Sequence, residues 1–147
     1  MNGTGLDVFD TTTQKTRLWL NDLMEILEWK DKPRKAYIGL RAVLHALRDR
    51  LTIQEAVQLG AQLPLLIRGI YYEGWTLTGK PVRERHKEEF LDHIKRAFRD
   101  DTTVDPERVA RAVFQVLSKR TSSGEIEDVR HMLPTPLQRL WPQGRNP

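Results

Sequence analysis

The chain has 147 residues, of which 39% are hydrophobic, 30% charged and 7% aromatic, a composition typical of one globular domain. It contains no cysteine, which excludes disulfides, thiolate metal sites and cysteine nucleophiles. No apolar run reaches the roughly 18 to 20 residues that a membrane span needs, and residues 1–10 lack the basic and apolar regions of a signal peptide. We therefore expect a cytoplasmic protein without export or membrane insertion. The net charge of +4 allows an acidic partner without requiring one.

The first half of the sequence predicts four helices, because apolar residues recur on one face and capping residues precede them. The first helix begins at Asp10 or Thr11, and the second follows Asp31, a candidate N-cap. Thr52 opens the third helix, since Thr52 and Glu55 have the spacing of a capping box, and the next proline starts the fourth. The residues expected to be buried are Leu20, Leu23, Met24 and Leu27, then Tyr37, Leu40, Val43, Leu44 and Leu47, then Ala56, Leu59 and Leu63, and finally Ile67, Ile70 and Tyr71.

The second half repeats this plan. A charged helix is predicted over 83–99, Asp105 caps the next helix, and Ser122 with Glu125 forms another capping box. A further helix follows Pro134, and no segment alternates apolar and polar residues as a strand does. We therefore predict an all-α fold of about eight helices. The residues expected to be buried are Phe90, Ile94, Ala97 and Phe98, then Val109, Val113, Phe114 and Leu117, and finally Ile126, Val129 and Leu133.

An internal duplication explains the length of the chain. A shift of 70 positions aligns residues 41–43 with 111–113 and residues 63–64 with 133–134, with identical letters in both pairs. The same shift aligns the predicted caps Thr52 and Ser122. We interpret this similarity as two related four-helix repeats. The alternative is that two amphipathic stretches fall into register by chance.

The predicted organisation is a single domain over 1–147. Repeat 1 covers about 10–73, the junction covers 74–82, and repeat 2 covers about 83–142. Two copies are too few for a solenoid, so we expect the repeats to close on each other with approximate two-fold symmetry around one core.

The duplication does not explain the segment around the junction, which combines two aromatic and three basic side chains. These are Arg68, Tyr72, Trp75, Lys80 and Arg83, which we call the junction surface. Aromatic faces beside cationic groups can bind the acidic groups of a partner, so we predict partner binding here, with Trp75 as the anchor. The alternative is that the two aromatic side chains cover the core and the basic side chains are solvated.

The sequence predicts neither a metal nor another cofactor. His86, Glu89 and His93 could share a helix face, but the Glu-x-x-His motif of helical metal sites is absent, and Asp128 with His131 is the nearest imitation. Nucleotide-binding, zinc-protease and hydrolase motifs are absent as well. These patterns give no support to a particular enzyme class.

The sequence resembles a known family in several blocks. They are TGLDVFDTT near the start, RAVLHALRDRL, LGAQLPLLIRGIYYEGW, GKP, and a closing LP with LQRLWP. Over residues 4–142 the chain is similar to the bacterial domain-of-unknown-function family 2267. The resemblance implies an α-helical, cytoplasmic bacterial protein and carries over no activity and no catalytic residue.

The duplicated scaffold and the lack of catalytic motifs favour a non-enzymatic module that binds a protein partner. A first alternative is salt-sensitive binding to nucleic-acid backbones, suggested by the 24 Lys and Arg residues. A second alternative is an enzyme, which would require His86, Glu89 and His131 to converge in a cleft. The oligomeric state stays open.

Overall fold

The computed structural model describes residues 3–143, which form eight α-helices and no β-strand. The helices are α1 (Asp7–Leu27), α2 (Pro33–Arg48), α3 (Ile53–Ala61), α4 (Leu65–Tyr72), α5 (Lys87–Ala97), α6 (Pro106–Arg120), α7 (Ser123–Met132) and α8 (Thr135–Gln138). The predicted all-α fold is confirmed. The ends of the predicted domain, 1–2 and 144–147, lie outside the described residues. Within residues 3–143, no helix is both long and apolar enough to cross a membrane.

Three helix starts are capped as the sequence predicts. Thr52 Oγ1 and Ser122 Oγ each accept a hydrogen bond of 3.2 Å from the backbone N–H three residues later. Asp105 Oδ1 accepts one of 3.0 Å from the N–H two residues later. Each cap satisfies a backbone N–H that has no partner inside its helix, which fixes where the helix begins.

Two helix starts in the first half differ from the prediction. Helix α1 begins at Asp7, so Asp10 lies inside its first turn. The Asp10 carboxylate accepts hydrogen bonds from the N–H and the hydroxyl of Thr4, at 2.8 and 3.0 Å, and this contact folds the preceding residues back onto the helix. The N-cap of α2 is Lys32, because Asp31 adopts a left-handed φ of 54° and makes no capping bond.

The connection between the two halves is longer than predicted. Helix α5 begins at Lys87, four residues later than the sequence suggests. The preceding residues are held against the end of α2, since the Val82 N–H donates to the Asp49 carbonyl oxygen at 2.8 Å. Residues 73–86 therefore connect α4 to α5, where the junction was predicted over 74–82.

Both halves contribute to one hydrophobic core. Helix α1 packs against α6 of the other half, and α2 packs against both α5 and α6. Helix α3 packs against α7. The two-repeat prediction requires such contacts between helices of different halves, but the two-fold relation itself stays a prediction. The largest fully buried side chains include Trp19, Leu23, Leu40, Leu44, Tyr71, Phe90, Phe114 and Trp141.

Most residues of the predicted apolar stripes are buried. Ala97 is exposed, because α5 ends there and Phe98 occupies the core position instead. The Phe98 ring packs edge-on against Trp29, with 5.8 Å between the ring centroids. Four further members of the stripes are half-buried: Leu20, Met24, Tyr37 and Ile70.

Candidate functional site

Two aromatic residues of the junction surface cover the core at the end of α4. The rings of Tyr72 and Trp75 stack with their centroids 5.6 Å apart, and both residues are half-buried. The Tyr72 ring lies so close to Gly60 that a Cβ atom there would overlap the tyrosine hydroxyl. The Arg48 guanidinium lies 6.0 Å from the centre of the Trp75 ring, a cation–π contact. The structure thus brings Tyr72 and Trp75 together in contacts made within the chain.

The three basic residues of the junction surface are used differently. Arg68 caps the end of α3, because its Nε and Nη2 donate to the carbonyl oxygens of Gly60 and Leu63, each at 2.9 Å. Neither Lys80 nor Arg83 forms an ion pair with another residue in the described part of the chain. Arg83 is exposed and Lys80 is half-buried.

Two buried arginines at the end of α2 hold the junction in place. Arg48 and Arg50 are only 4% and 7% exposed. Arg48 Nη1 donates to the carbonyl oxygens of Tyr71 and Glu73, at 2.8 and 3.0 Å. Arg50 forms an ion pair with Glu84, which precedes α5. Sequence reasoning missed both, because arginines beside an aspartate at a helix end are usually solvated.

Arg50 is the centre of a small charged network. Its guanidinium lies 5.1 Å from the centre of the Phe90 ring, and Glu84 also contacts His93 Nε2 at 3.3 Å. Burial lowers the pKa of Arg50, whereas the nearby carboxylates of Glu84 and Asp49 act to raise it. The charges of this network are balanced inside the chain, which indicates a structural role.

A group of carboxylates lies where α3 packs against α7, at what we call the α3–α7 seam. The two helices run antiparallel. At the start of α3, Thr52 Oγ1 donates to Met132 Sδ at the end of α7, at 3.6 Å. At the other end, the Ser122 N–H before α7 donates to Gln62 Oε1 after α3. Glu55, Glu125 and Asp128, which we call the carboxyl cluster, each bring one oxygen within 4.8 Å of the others. Oxygens at these separations can share one proton or one cation.

The glutamates of the two predicted capping boxes do not accept hydrogen bonds from the backbone N–H groups of their N-cap residues. The Ser122 N–H donates to Gln62 Oε1 at 3.3 Å, which leaves Glu125 free to enter the seam. Oε2 of Glu55 and Oε2 of Glu125 are both buried without a hydrogen-bond partner. Burial, together with the neighbouring Glu55, raises the pKa of Glu125 to about 8. The prediction of complete capping boxes is therefore wrong at both positions, although the hydroxyl caps are correct.

A groove runs along the surface between α1 and α4, and we call it the α1–α4 groove. Two adjoining cavities of about 570 and 330 Å³ share Lys15 and Leu65 among their lining residues. Val8, Leu18 and Leu65 line this groove and are 57%, 45% and 50% exposed. Of the predicted site residues, Arg68 also lines this groove. Sequence reasoning missed the three apolar residues, because they lie outside the predicted buried stripes.

A family model described as an uncharacterized conserved protein (DUF2267) matches residues 16–140. The chain belongs to the DUF2267 family. The match runs from within α1 to beyond α8, which confirms the resemblance seen in the sequence. No curated protein matches this DUF2267 chain.

In this DUF2267 chain, the residues considered for catalysis make local contacts. His131 Nε2 lies 3.4 Å from a carboxylate oxygen of Glu127, four residues earlier on α7. Glu89 accepts a hydrogen bond of 3.2 Å from the His86 N–H at the start of α5. These contacts stay within the two helix segments and do not join the histidines in a cleft.

Proposed function

We propose that this DUF2267 member is a cytoplasmic, non-enzymatic interaction module that binds an acidic amphipathic helix of a protein partner. The observation that carries this proposal is the exposure of Val8, Leu18 and Leu65 along the α1–α4 groove. Apolar side chains grouped at a groove are typical of surfaces that are covered by a partner.

The length of the groove fits a short helix. Val8 and Leu18 are ten residues apart on α1, which corresponds to about 15 Å along the helix axis. Three turns of a partner helix have a similar length, so apolar residues spaced three or four positions apart can contact the groove along its whole length. Leu65, at the first position of α4, forms the opposite side.

The charges of the groove favour an acidic partner. Lys15 lies between the apolar residues and forms no ion pair with another residue of 3–143. The Lys119 side chain is 65% exposed and only approaches Asp22, at 3.7 Å. Basic groups beside an apolar strip select a helix with acidic residues next to its apolar face.

The junction surface is a competing location for the same function. None of its three basic groups forms an ion pair within the described residues, and Arg68 donates to backbone carbonyl oxygens. Lys80 and Arg83 therefore support this location. The experiment must therefore distinguish the groove from the junction.

Site-specific photo-crosslinking in cells of the source organism tests the proposal. A photoreactive amino acid replaces Leu65 in one variant and Leu77 in a matched control, because Leu77 is similarly exposed, at 54%, but belongs to the junction. Mass spectrometry then identifies the crosslinked peptides. We expect the Leu65 variant to crosslink to an acidic amphipathic segment of another protein, and the Leu77 variant to give no such product.

A second measurement quantifies the contact. Leu65→Ser should weaken binding of the identified segment by about tenfold, because it removes one buried leucine from the interface. Leu77→Ser should leave the affinity unchanged. The proposal is wrong if crosslinks form only at residue 77, if they join two copies of this chain, or if the captured segment is basic.

A further inference from the structure

The carboxyl cluster concentrates negative charge between two helices. Glu55 comes from α3, and Glu125 and Asp128 come from α7, so the cluster spans both halves of the chain. The residue Glu55 is only 6% exposed, whereas Asp128 lies at the surface. One end of the cluster is therefore buried and the other end is open to solvent.

No basic side chain in the described part of the chain pairs with these carboxylates. None of the ion pairs within residues 3–143 includes a member of the cluster, although the sequence has 24 Lys and Arg residues. By contrast, Asp22 is approached by both Lys119 and Arg120. The cluster thus differs from the other partly buried carboxylates of the fold.

No hydrogen-bond donor from another residue reaches the buried oxygens of the cluster. Glu55 Oε2 and Glu125 Oε2 accept no such bond, and Glu55 is more than nine-tenths buried. The hydrogen bond available to these two glutamates joins their own carboxyl groups, when Glu125 is protonated. A buried carboxylate without a donor is strongly unfavourable, and proteins resolve it by protonation, by pairing or by metal coordination. A cation that displaces the proton shared by Glu55 and Glu125 would supply the positive charge that no side chain provides here.

We propose that Glu55, Glu125 and Asp128 bind a hard divalent cation of the size of Ca²⁺ between α3 and α7. Bonds from Ca²⁺ to oxygen are about 2.3–2.6 Å long, so two oxygens on opposite sides of the ion lie about 4.6–5.2 Å apart. The three oxygens lie within 4.8 Å of one another, which is compatible with this range. Mg²⁺, whose bonds are about 2.0–2.1 Å, demands near-ideal octahedral geometry, whereas Ca²⁺ accepts more irregular sets of oxygens, so we expect a preference for Ca²⁺.

Solvent completes the coordination in this proposal. Ca²⁺ takes about six to eight oxygen ligands, and water can supply the remainder on the exposed side of Asp128. The ion bridges a helix of the first half and a helix of the second, so binding should stabilise the folded chain. This inference stands on the seam alone and does not depend on the α1–α4 groove.

Calorimetric titration and thermal unfolding of the full chain, freed of metal with EDTA, test the site. CaCl₂ is compared with MgCl₂ and with NaCl of equal ionic strength. We expect one Ca²⁺ per chain and a Tm that rises with the logarithm of Ca²⁺ concentration above the Kd. The response to Mg²⁺ should be weaker, and NaCl should give no saturable response.

Variants assign the response to the cluster. Glu55→Gln combined with Glu125→Gln keeps the side-chain volumes and should weaken Ca²⁺ binding at least tenfold. Asp128→Asn is the second variant, because its exposed position leaves folding intact, and it should weaken binding as well. Glu127→Gln, on the same helix but outside the cluster, should bind as the unchanged chain does. Absence of saturable Ca²⁺ binding, or binding that survives in both cluster variants, overturns the proposal.

Discussion

The junction and the α3–α7 seam both join the first half of the chain to the second, but they treat buried charge in opposite ways. At the junction, Arg48 and Arg50 are buried and hydrogen-bonded to backbone carbonyl oxygens, and Glu84 balances Arg50. At the seam, Glu55 and Glu125 each have a buried oxygen without any donor. A carboxylate therefore pairs with Arg50 at the junction, although its Nε is buried without a hydrogen-bond partner, whereas no basic side chain pairs with the glutamates of the seam.

This difference shows that aromatic and basic residues typical of a binding surface can instead stabilise the fold. The sequence predicts Trp75 as the anchor for a partner, but the Trp75 ring contacts the Arg48 guanidinium of this chain. Aromatic and basic residues near a helix end therefore predict an internal network as readily as an interface. Unbalanced buried charge is the more specific sign of a missing ligand.

The largest expected effect comes from breaking the junction network. Arg50→Ala removes the ion pair with Glu84, the hydrogen bond to the Ala46 carbonyl oxygen and the packing against Phe90. We expect the free energy of unfolding to fall by about 2–4 kcal/mol, since a partly buried charge loses its partner. Urea unfolding followed by circular dichroism measures this loss.

Arg120, which the predicted repeat aligns with Arg50, provides the control. Arg120 pairs with Asp22 at 2.6 Å, but its side chain is 25% exposed against 2% for Arg50. Arg120→Ala should lower the free energy of unfolding by only about 1 kcal/mol. Equal losses in the two variants would contradict the conclusion that the burial of Arg50, more than its ion pair, determines how much it stabilises the fold.

The carboxyl cluster of the seam should make the stability of the fold depend on pH. Burial and Glu55 raise the pKa of Glu125 to about 8, well above its value in an unfolded chain. The folded state therefore holds a proton that the unfolded state has lost, so stability falls as pH rises from about 5 to 8. In EDTA, Glu125→Gln should remove this decline and be more stable than the unchanged chain at pH 9, by roughly 1 kcal/mol or about 2–4 °C in Tm.

Two groups near Glu125 bear on this result. Asp128 adds negative charge on the same helix and, like Glu55, raises the pKa of Glu125. Tyr71 stays neutral over this range, because burial raises its pKa. Glu127→Gln is the matched control and should retain the decline between pH 5 and 8. The same slope in Glu125→Gln and in the unchanged chain would show that Glu125 is not the group responsible.

The sequence predicted the local structure well and the tertiary contacts poorly. The caps at Thr52, Asp105 and Ser122 were correct, because a cap depends on residues within one turn. The carboxyl cluster was missed, because it exists only where α3 packs on α7, some 70 residues away in the chain. The capping-box motif concealed it further, since it gave Glu55 and Glu125 a satisfactory local role.

The burial of Arg50 was missed for a related reason. Its neighbours in sequence place it at an ordinary helix end, whereas its ion pair and its ring contact come from Glu84 and Phe90, more than 30 residues later. The equivalence of Arg50 with Arg120 in the predicted repeat was the available signal. Both arginines bind a carboxylate from the other half, so an arginine repeated at a helix end indicates an ion pair between the halves.

The smallest expected effect concerns the exposed end of the junction surface. Lys80→Ala combined with Arg83→Ala should change the free energy of unfolding by less than about 0.5 kcal/mol, because neither side chain has an ion pair among the described residues. Urea unfolding measures this change, and a loss above 1 kcal/mol would place these residues in the Arg48 and Arg50 network. An unchanged stability makes this variant a clean probe, since any loss of partner crosslinking in it then reports binding at the junction and not unfolding. Trp75→Ala lacks that property, because removing Trp75 also removes its stacking on Tyr72.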